Sequence, residues 1–344
     1  MQHAHSARWI DETSRGSDTI CVVLPLDGMC YTRIGQTSGM TAPRKSDGPR
    51  GIAMAAAIAP SVRVDAGAAK AEATSAILVV DDVVKRFDTP EGFLTALDHV
   101  SLSVAPGEFV GVIGPSGCGK STLFNVIGGL LDGYEGTVQV AGERMRGPHA
   151  AIGMIFQEES TFPWRTVVDN VAFPLEIAGL PKRERYERAQ HFVRLVGLDG
   201  FERRYPAELS GGMRQRVSMA RTLAAQPKIL LMDEPFAALD EQTRLLLGDK
   251  VLQIQQQLKQ TTLLITHNIT EAVQLSDRIL VMTYRPGRVK RIVDIKLPRP
   301  RSSEIVSSEA FGRYVAQIWS DLREEVSRGL TDEEARTLRE GEDR

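Results

Sequence analysis

One nine-residue segment constrains this chain more than any other: GPSGCGKST, at positions 114–122. It follows a short apolar stretch, EFVGVI, and precedes LFNVIGGLL, which has the apolar spacing of a helix. A strand, a glycine-rich turn and a helix in this order give the pattern G-x-x-x-x-G-K-[ST] the context that it requires. Glycines let the turn point its backbone N–H groups inward, and these groups and the positive end of the next helix suit an anion. The segment therefore predicts a loop that holds a chain of phosphates.

The side chains of this loop have separate predicted roles. Lys120 has the reach to contact β- and γ-phosphates, and Ser121 can offer its hydroxyl to Mg²⁺. Cys118 has no obvious base near it in the sequence, so we interpret it as a small residue that fills space. The residues expected to contact the phosphates are Gly114, Pro115, Ser116, Gly117, Cys118, Gly119, Lys120, Ser121 and Thr122.

The stretch KILLMDEP places two carboxylates at the end of a predicted buried strand. Asp233 can hold Mg²⁺ through water, and Glu234 can orient and deprotonate an attacking water. After a strand alone, such a pair could equally cap a helix. Downstream of a phosphate loop, the pair predicts hydrolysis.

The stretch ELSGGMRQR begins another predicted helix, and its N-terminus carries a hydroxyl and two glycines. Ser210, Gly211 and Gly212 could form an ordinary helix cap, or their exposed N–H groups could bind a second anion. One nucleotide does not need two such sites from one chain. The second interpretation therefore implies a dimer in which this site closes over the partner's nucleotide.

Between the phosphate loop and LLMDEP, the motif LSGGM resembles the signature of ABC-type ATPases. The resemblance covers about residues 76–322 and implies roles for four more residues. Gln157 in MIFQ resembles the glutamine that touches Mg²⁺, and Asp240 in AALD lies in a loop that crosses the dimer interface in this family. His267 in LLITH resembles the histidine that contacts the γ-phosphate, and Phe87 in VVKRF stands where the family places an aromatic ring on adenine.

The resemblance implies ATP and Mg²⁺ as the cofactors. The expected catalytic residues are Glu234, His267 and Lys120. The expected Mg²⁺ ligands are Ser121, Gln157 and Asp233.

Longer stretches narrow the resemblance to ATPase subunits of nitrate/sulfonate/taurine-type importers: FPWRTVVDNVAFPLEIAGLP, GGMRQRVSMARTLA, DEPFAALDEQTR and YRPGRV. This group implies a homodimer of ATPase subunits at the cytoplasmic face of the inner membrane, with a separate permease and a solute-binding protein. Asn268 departs from the family, in which an acidic residue more usually follows the histidine. The solute stays open among small oxyanions, sulfonates and pyrimidine-type precursors, because the ATPase does not touch it.

Composition agrees with this class of protein. The 344 residues carry a net charge of -2, which gives no basic field for nucleic acid. No apolar stretch approaches the roughly 18 residues of a membrane-spanning helix. The three cysteines, at positions 21, 30 and 118, are too few for a disulfide framework, which fits a reducing cytoplasm.

The chain divides into three predicted parts. Residues 1–75 lack helix or strand periodicity and predict a disordered extension, and the charged residues 323–344 predict a solvated helix or tail. In between, ILVVDDVVKRF, HVSLSV, EFVGVIG, KILLMDE and TTLLITH predict strands that alternate with helices, so we expect an α/β P-loop NTPase core with a mainly parallel sheet. The resemblance adds an antiparallel β subdomain and an inserted helical subdomain at about residues 158–209. In that insertion Trp164 is the expected permease contact, with a place in the core as the alternative.

The alternative class is a soluble ABC ATPase that acts on nucleic acid or ribosomes. DNA-repair members split the domain with a long coiled coil, whereas the segment between Gln157 and Ser210 is short and lacks sustained heptads. Translation-associated members usually carry two ATPase domains in one chain, and only one set of motifs is present. We therefore expect no nucleic-acid partner.

Overall fold

The computed structural model describes residues 76–342 except residues 91, 159 and 238, so the predicted extension at residues 1–75 lies outside it. The strands are β1 (Leu78–Thr89), β2 (Gly92–Val104), β3 (Phe109–Ile113), β4 (Glu135–Val140), β5 (Glu143–Arg144), β6 (Ile152–Ile155), β7 (Ile229–Asp233), β8 (Thr261–Ile265), β9 (Arg278–Met282) and β10 (Val289–Asp294). The helices are α1 (Lys120–Ile127), α2 (Val167–Ile177), α3 (Lys182–Leu195), α4 (Gly211–Ala224), α5 (Glu241–Leu258), α6 (Ile269–Leu275) and α7 (Glu309–Glu342).

A six-stranded sheet forms the centre, in the order β10-β9-β3-β8-β7-β6. Strands β9, β3, β8, β7 and β6 run parallel to one another, and β10 pairs antiparallel with β9 at one edge. The middle strands β3 and β8 are buried at every position, because the sheet is covered on both faces. The predicted α/β class with a mainly parallel sheet is confirmed.

A second sheet is antiparallel, in the order β2-β1-β4-β5. Its buried valines and leucines share one core with α1 and with one face of the central sheet. Helix α1 therefore packs between the two sheets. The antiparallel β subdomain that the resemblance implied is present.

Helices α2, α3 and α4 pack on one another beside the central sheet. Thr166 caps α2 by accepting from the backbone N–H of Asp169, and the hydroxyl of Tyr186 on α3 donates to the Asp169 carboxylate. Asn170 is fully buried, and its side chain holds the preceding loop through bonds to the backbone of Phe162 and Arg165. These polar contacts fix the loop that carries Trp164.

The chain ends in the long helix α7, which continues through the predicted boundary at residue 322. Its first half packs on β9, β10 and α6, with Phe311, Ile318 and Leu322 buried. The charged C-terminal residues are thus a continuation of a docked helix. In the part of the chain that the structure describes, none of the helices has the length and apolar character needed to cross a bilayer.

Candidate functional site

The glycine-rich loop connects β3 to α1, as predicted. Gly117 and Gly119 have positive φ angles of 69° and 96°, which other residues rarely adopt. A Cβ atom on Gly119 would also lie 2.6 Å from the carbonyl oxygen of Ala96. Glycine is therefore required at position 119 both by the backbone conformation and by the close approach of β2.

Lys120 is the first residue of α1, and its side chain is buried against its own loop. Its Nζ donates to the carbonyl oxygens of Gly114, at 2.9 Å, and Pro115, at 2.8 Å. Cys118 is also buried, and burial raises the pKa of its thiol although Lys120 opposes this effect. A buried thiol with a raised pKa is a poor nucleophile, in agreement with the interpretation of Cys118 as a residue that fills space.

A groove of about 320 Å³ opens along this loop, and both sheets contribute to its walls. The loop and the start of α1 form its floor. Thr95 and Ala96 line it from β2 and Phe87 from β1, and the Lys85 Nζ lies 5.0 Å from the centre of the Phe87 ring. Its lining residues are Phe87, Leu94, Thr95, Ala96, Ser116, Gly117, Gly119, Lys120, Ser121, Thr122, Glu234 and Arg285.

Asp233 ends β7 beside the loop, where its carboxylate accepts a hydrogen bond from Ser121. Burial raises the pKa of Asp233, and the bond from Ser121 opposes that rise in part. The Oδ1 atom of Asp233 is buried and has no partner among the described residues. One carboxylate and one hydroxyl beside a phosphate loop fit Mg²⁺, which usually takes one or two carboxylates together with phosphate oxygens and water. Gln157 is exposed two residues after β6, the strand parallel to β7.

Glu234 directly follows Asp233 at the end of β7, and its side chain contacts His267, which follows the neighbouring strand β8. The Oε2 of Glu234 lies 3.1 Å from the Nδ1 of His267, and the backbone N–H of Glu234 donates to the carbonyl oxygen of Ile265 at 3.0 Å. Glu234 has a φ of 46°, an unfavourable conformation for a residue with a side chain. Such strain persists only where the surroundings impose it, and it is concentrated at functional sites.

The residues of the LSGGM and AALD motifs do not line this groove. Ser210 caps α4 by accepting from the backbone N–H of Met213 at 3.4 Å, and Asp240 caps α5 by accepting from Thr243 at 2.9 Å. A Cβ atom on Gly212 would meet the Leu239 side chain at 2.8 Å, so the start of α4 packs against the loop before α5. Gly211 precedes this contact on the same exposed helix end.

Two charged residues near the groove were not predicted. Arg285 lines the groove, and its Nε donates to the carbonyl oxygen of Gly117 at 3.2 Å. It belongs to the stretch YRPGRV, which the sequence marks only as part of the family resemblance. Glu271 on α6 is buried, and burial raises its pKa to about 8. A lone glutamate in an ordinary helical pattern gives no sign of this burial.

Comparison with known proteins identifies the family. The model of the ABC transporter family matches residues 97–237. An uncharacterized ABC transporter ATP-binding protein of Methanocaldococcus jannaschii, MJ0412, is 49% identical over 253 residues, which are 74% of this chain and 94% of the relative. The chain belongs to the ABC transporter family. As an ABC ATPase it binds ATP and hydrolyses it.

Other relatives carry more specific names. The nitrate import ATP-binding protein NrtD of Synechocystis is 43% identical over 252 residues, which are 72% of this chain and 95% of the relative. An aliphatic sulfonates import ATP-binding protein SsuB of Bacillus cereus is 43% identical over 240 residues, covering 69% and 94%.

Solved structures agree on the fold. A dimeric post-hydrolysis ATP-binding cassette, MJ0796 bound to ADP and Pi, matches with a TM-score of 0.58 and 31% identity, covering 64% of this chain and all of that one. The cbiO1 protein of Clostridium perfringens, part of the ABC transporter complex cbiONQ, matches with a TM-score of 0.60 and 26% identity, covering 70% and 94%.

Proposed function

We propose that this ABC ATPase is the energy-coupling subunit of an importer for a small oxyanion or sulfonate-type solute. In this proposal it works at the cytoplasmic face of the inner membrane with a separate permease and a solute-binding protein. The NrtD and SsuB relatives support the solute class through their names, and both are covered over almost their full length. Because an ATPase subunit does not touch the solute, the choice between nitrate-like and sulfonate-like compounds stays open.

The observation that carries the proposed chemistry is the position of Glu234. It lines the same groove as Lys120 and Ser121, and it is oriented by His267. A carboxylate at this place can accept a proton from a water that attacks the terminal phosphate, while the histidine fixes its direction. Phe87 offers an aromatic face in the same groove for the base of the nucleotide.

Ser121, Asp233 and Gln157 would hold Mg²⁺, which supplies charge neutralisation to the phosphates when it is bound. The unpartnered Oδ1 of Asp233 supports this assignment. Lys120 would exchange its two carbonyl contacts for phosphate oxygens, since an ammonium group prefers a charged acceptor.

We also propose that two chains enclose ATP head to tail. Ser210, Gly211 and Gly212 are exposed or half-buried at the start of α4 and lie outside the groove of their own chain. Their contact with the loop that leads to Asp240 makes one continuous surface that a partner's nucleotide could meet. The dimeric state of the MJ0796 cassette is consistent with this arrangement.

The test uses Glu234→Gln, which keeps the shape of the side chain and removes its negative charge. Loss of a general base slows hydrolysis by about 10²–10⁴-fold, so ATP should remain bound. We expect this variant to be monomeric without nucleotide and dimeric with ATP in light scattering after gel filtration, while Glu234→Gln with Ser210→Arg stays monomeric. A double variant that dimerises as well as the single one would remove Ser210 from the interface, and normal turnover of Glu234→Gln would contradict its role as the base.

A further inference from the structure

A second cation stands beside the phosphate loop, far from it in sequence. The guanidinium of Arg285 lies so close to Gly117 that a Cβ atom there would be 2.6 Å from its Nη2. Its Nε bonds the carbonyl oxygen of Gly117, and the side chain is exposed to the groove that Lys120 also lines. Two cationic side chains, those of Lys120 and Arg285, therefore line the groove.

Arg285 lies in the turn of the hairpin that β9 and β10 form. It differs from the other basic residues of this hairpin because it has no carboxylate partner among the described residues. Arg288 pairs with Asp98, and Lys290 pairs with Glu324 and Glu325. Arg285 also contacts the ring of Tyr284, whose centre is 5.8 Å from the guanidinium carbon. Its charge is thus available to an anion in the groove.

The hairpin tip is held directly against the phosphate loop. Gly287 donates to the carbonyl oxygen of Ala96 at 3.1 Å and accepts from the backbone N–H of Asp98 at 3.0 Å. A Cβ atom on Gly287 would lie 2.1 Å from the carbonyl oxygen of Cys118. The backbone that carries Arg285 is therefore held against the phosphate loop at Gly287, two residues further along the chain.

Helix α7 supports the hairpin from the other side. Glu325 is 2% exposed, and its carboxylate accepts from the backbone N–H of Tyr284 at 3.0 Å and from Lys290 at 2.8 Å. Gly329 lies flat against Tyr284, since a Cβ atom there would be 2.9 Å from the ring. The helix thus sets the position of the residue next to Arg285 and of the ring on which Arg285 rests.

We propose that Arg285 is a phosphate-binding residue of the nucleotide groove and that helix α7 positions it through Tyr284. The proposal rests on the proposed nucleotide site at Lys120. An exposed, unpaired guanidinium at the rim of a phosphate loop attracts the phosphate chain and offers it charge-assisted hydrogen bonds. The C-terminal helix would then influence nucleotide affinity without touching the nucleotide.

The first experiment compares Arg285→Ala and Arg285→Gln with the matched control Arg288→Ala, whose arginine is neutralised by Asp98. ATP and ADP are titrated calorimetrically in EDTA, and adenosine binding is followed by NMR. We expect Arg285→Ala and Arg285→Gln to weaken ATP binding about three- to tenfold and ADP binding by less. Adenosine should bind unchanged, Arg288→Ala should resemble the wild type, and added salt should reduce the loss.

Two results would overturn the phosphate role. In one, Arg285→Gln binds ATP as the wild type does while Arg285→Ala does not. ATP binding would then depend on the hydrogen bond to Gly117 and not on the positive charge. In the other, Arg285→Ala keeps full ATP affinity while Lys120→Ala loses it, which leaves the proposed function standing without Arg285. Normal ATP binding by Lys120→Ala would instead remove the nucleotide site, and with it this proposal.

The second experiment tests the helix. Gly329→Ala forces the Tyr284 ring or α7 to shift, so we expect ATP binding to weaken about two- to fivefold, and no further loss when Arg285→Ala is already present. Losses that multiply in the double variant would contradict positioning by α7. Thermal unfolding checks each fold. If Gly329→Ala does not fold, Glu325→Ala replaces it in the same comparison with Arg285→Ala. This variant removes the carboxylate that accepts from the Tyr284 N–H.

Discussion

The buried carboxyl group of Glu271 makes a quantitative prediction about stability and pH. Burial raises its pKa from 4.5 to about 8, although Arg244 on α5 and the Thr266 hydroxyl oppose the rise, and the charge of Glu234 adds to it. Its Oε1 has no hydrogen-bond partner within the described part of the chain. The folded protein therefore keeps this carboxyl protonated at pH values where the unfolded chain has released the proton.

The sign and size of the effect follow from this difference. Because the folded pKa is above the unfolded one, the native state binds one more proton between about pH 4.5 and 8. Stability therefore falls as pH rises through this window, by about 1.4 kcal/mol per pH unit for one proton. From pH 5.5 to 7.5 the wild type should lose roughly 2–3 kcal/mol through Glu271 alone.

Glu271→Gln isolates this contribution, since the amide has the same size and stays neutral. We expect the variant to become more stable relative to the wild type by roughly 2–3 kcal/mol on going from pH 5.5 to pH 7.5. Urea unfolding followed by circular dichroism at the two pH values measures the free energies, and all other titrating groups cancel in the difference. Glu309→Gln, at an exposed position, serves as the control. Its free energy of unfolding should differ from that of the wild type by the same amount at both pH values. A Glu271→Gln difference that does not change with pH would refute the reasoning.

Three further predictions concern the site and the parts around it. Lys120→Ala should weaken ATP binding in calorimetry and abolish hydrolysis, because the loop loses its cation; normal turnover would contradict the assignment. Trp164→Ala should leave ATP hydrolysis nearly unchanged and reduce solute uptake in cells, because this side chain is 66% exposed on the helical subdomain; a markedly lower unfolding temperature would indicate a packing role instead. Deletion of residues 1–75 should leave ATPase activity intact, since every motif lies downstream, and loss of the folded circular dichroism signal would disprove this.

Local patterns were enough to predict the central elements of the fold. The glycine-rich loop lies between a buried strand and a helix, and Asp233 ends β7 as expected from KILLMDE. These predictions succeed because a run of apolar residues, a glycine turn and a helix start are specified by neighbours in sequence. The ATP-binding and importer motifs are likewise contiguous, so the order of residues alone is sufficient to reveal the family resemblance.

Long-range placement was decided only by the tertiary structure. Arg285 reaches Gly117 across 168 residues of sequence, because the β9–β10 hairpin packs against the phosphate loop. Glu271 has a raised pKa only because α6 turns it into the interior. Residue 322, at which the family resemblance ends, lies within one continuous helix whose buried Glu325 contacts Tyr284. The sequence determined which residues carry the chemistry. The packing determined which of these residues share one groove and which of their charges are paired or buried, because burial and charge pairing depend on groups that are distant along the chain.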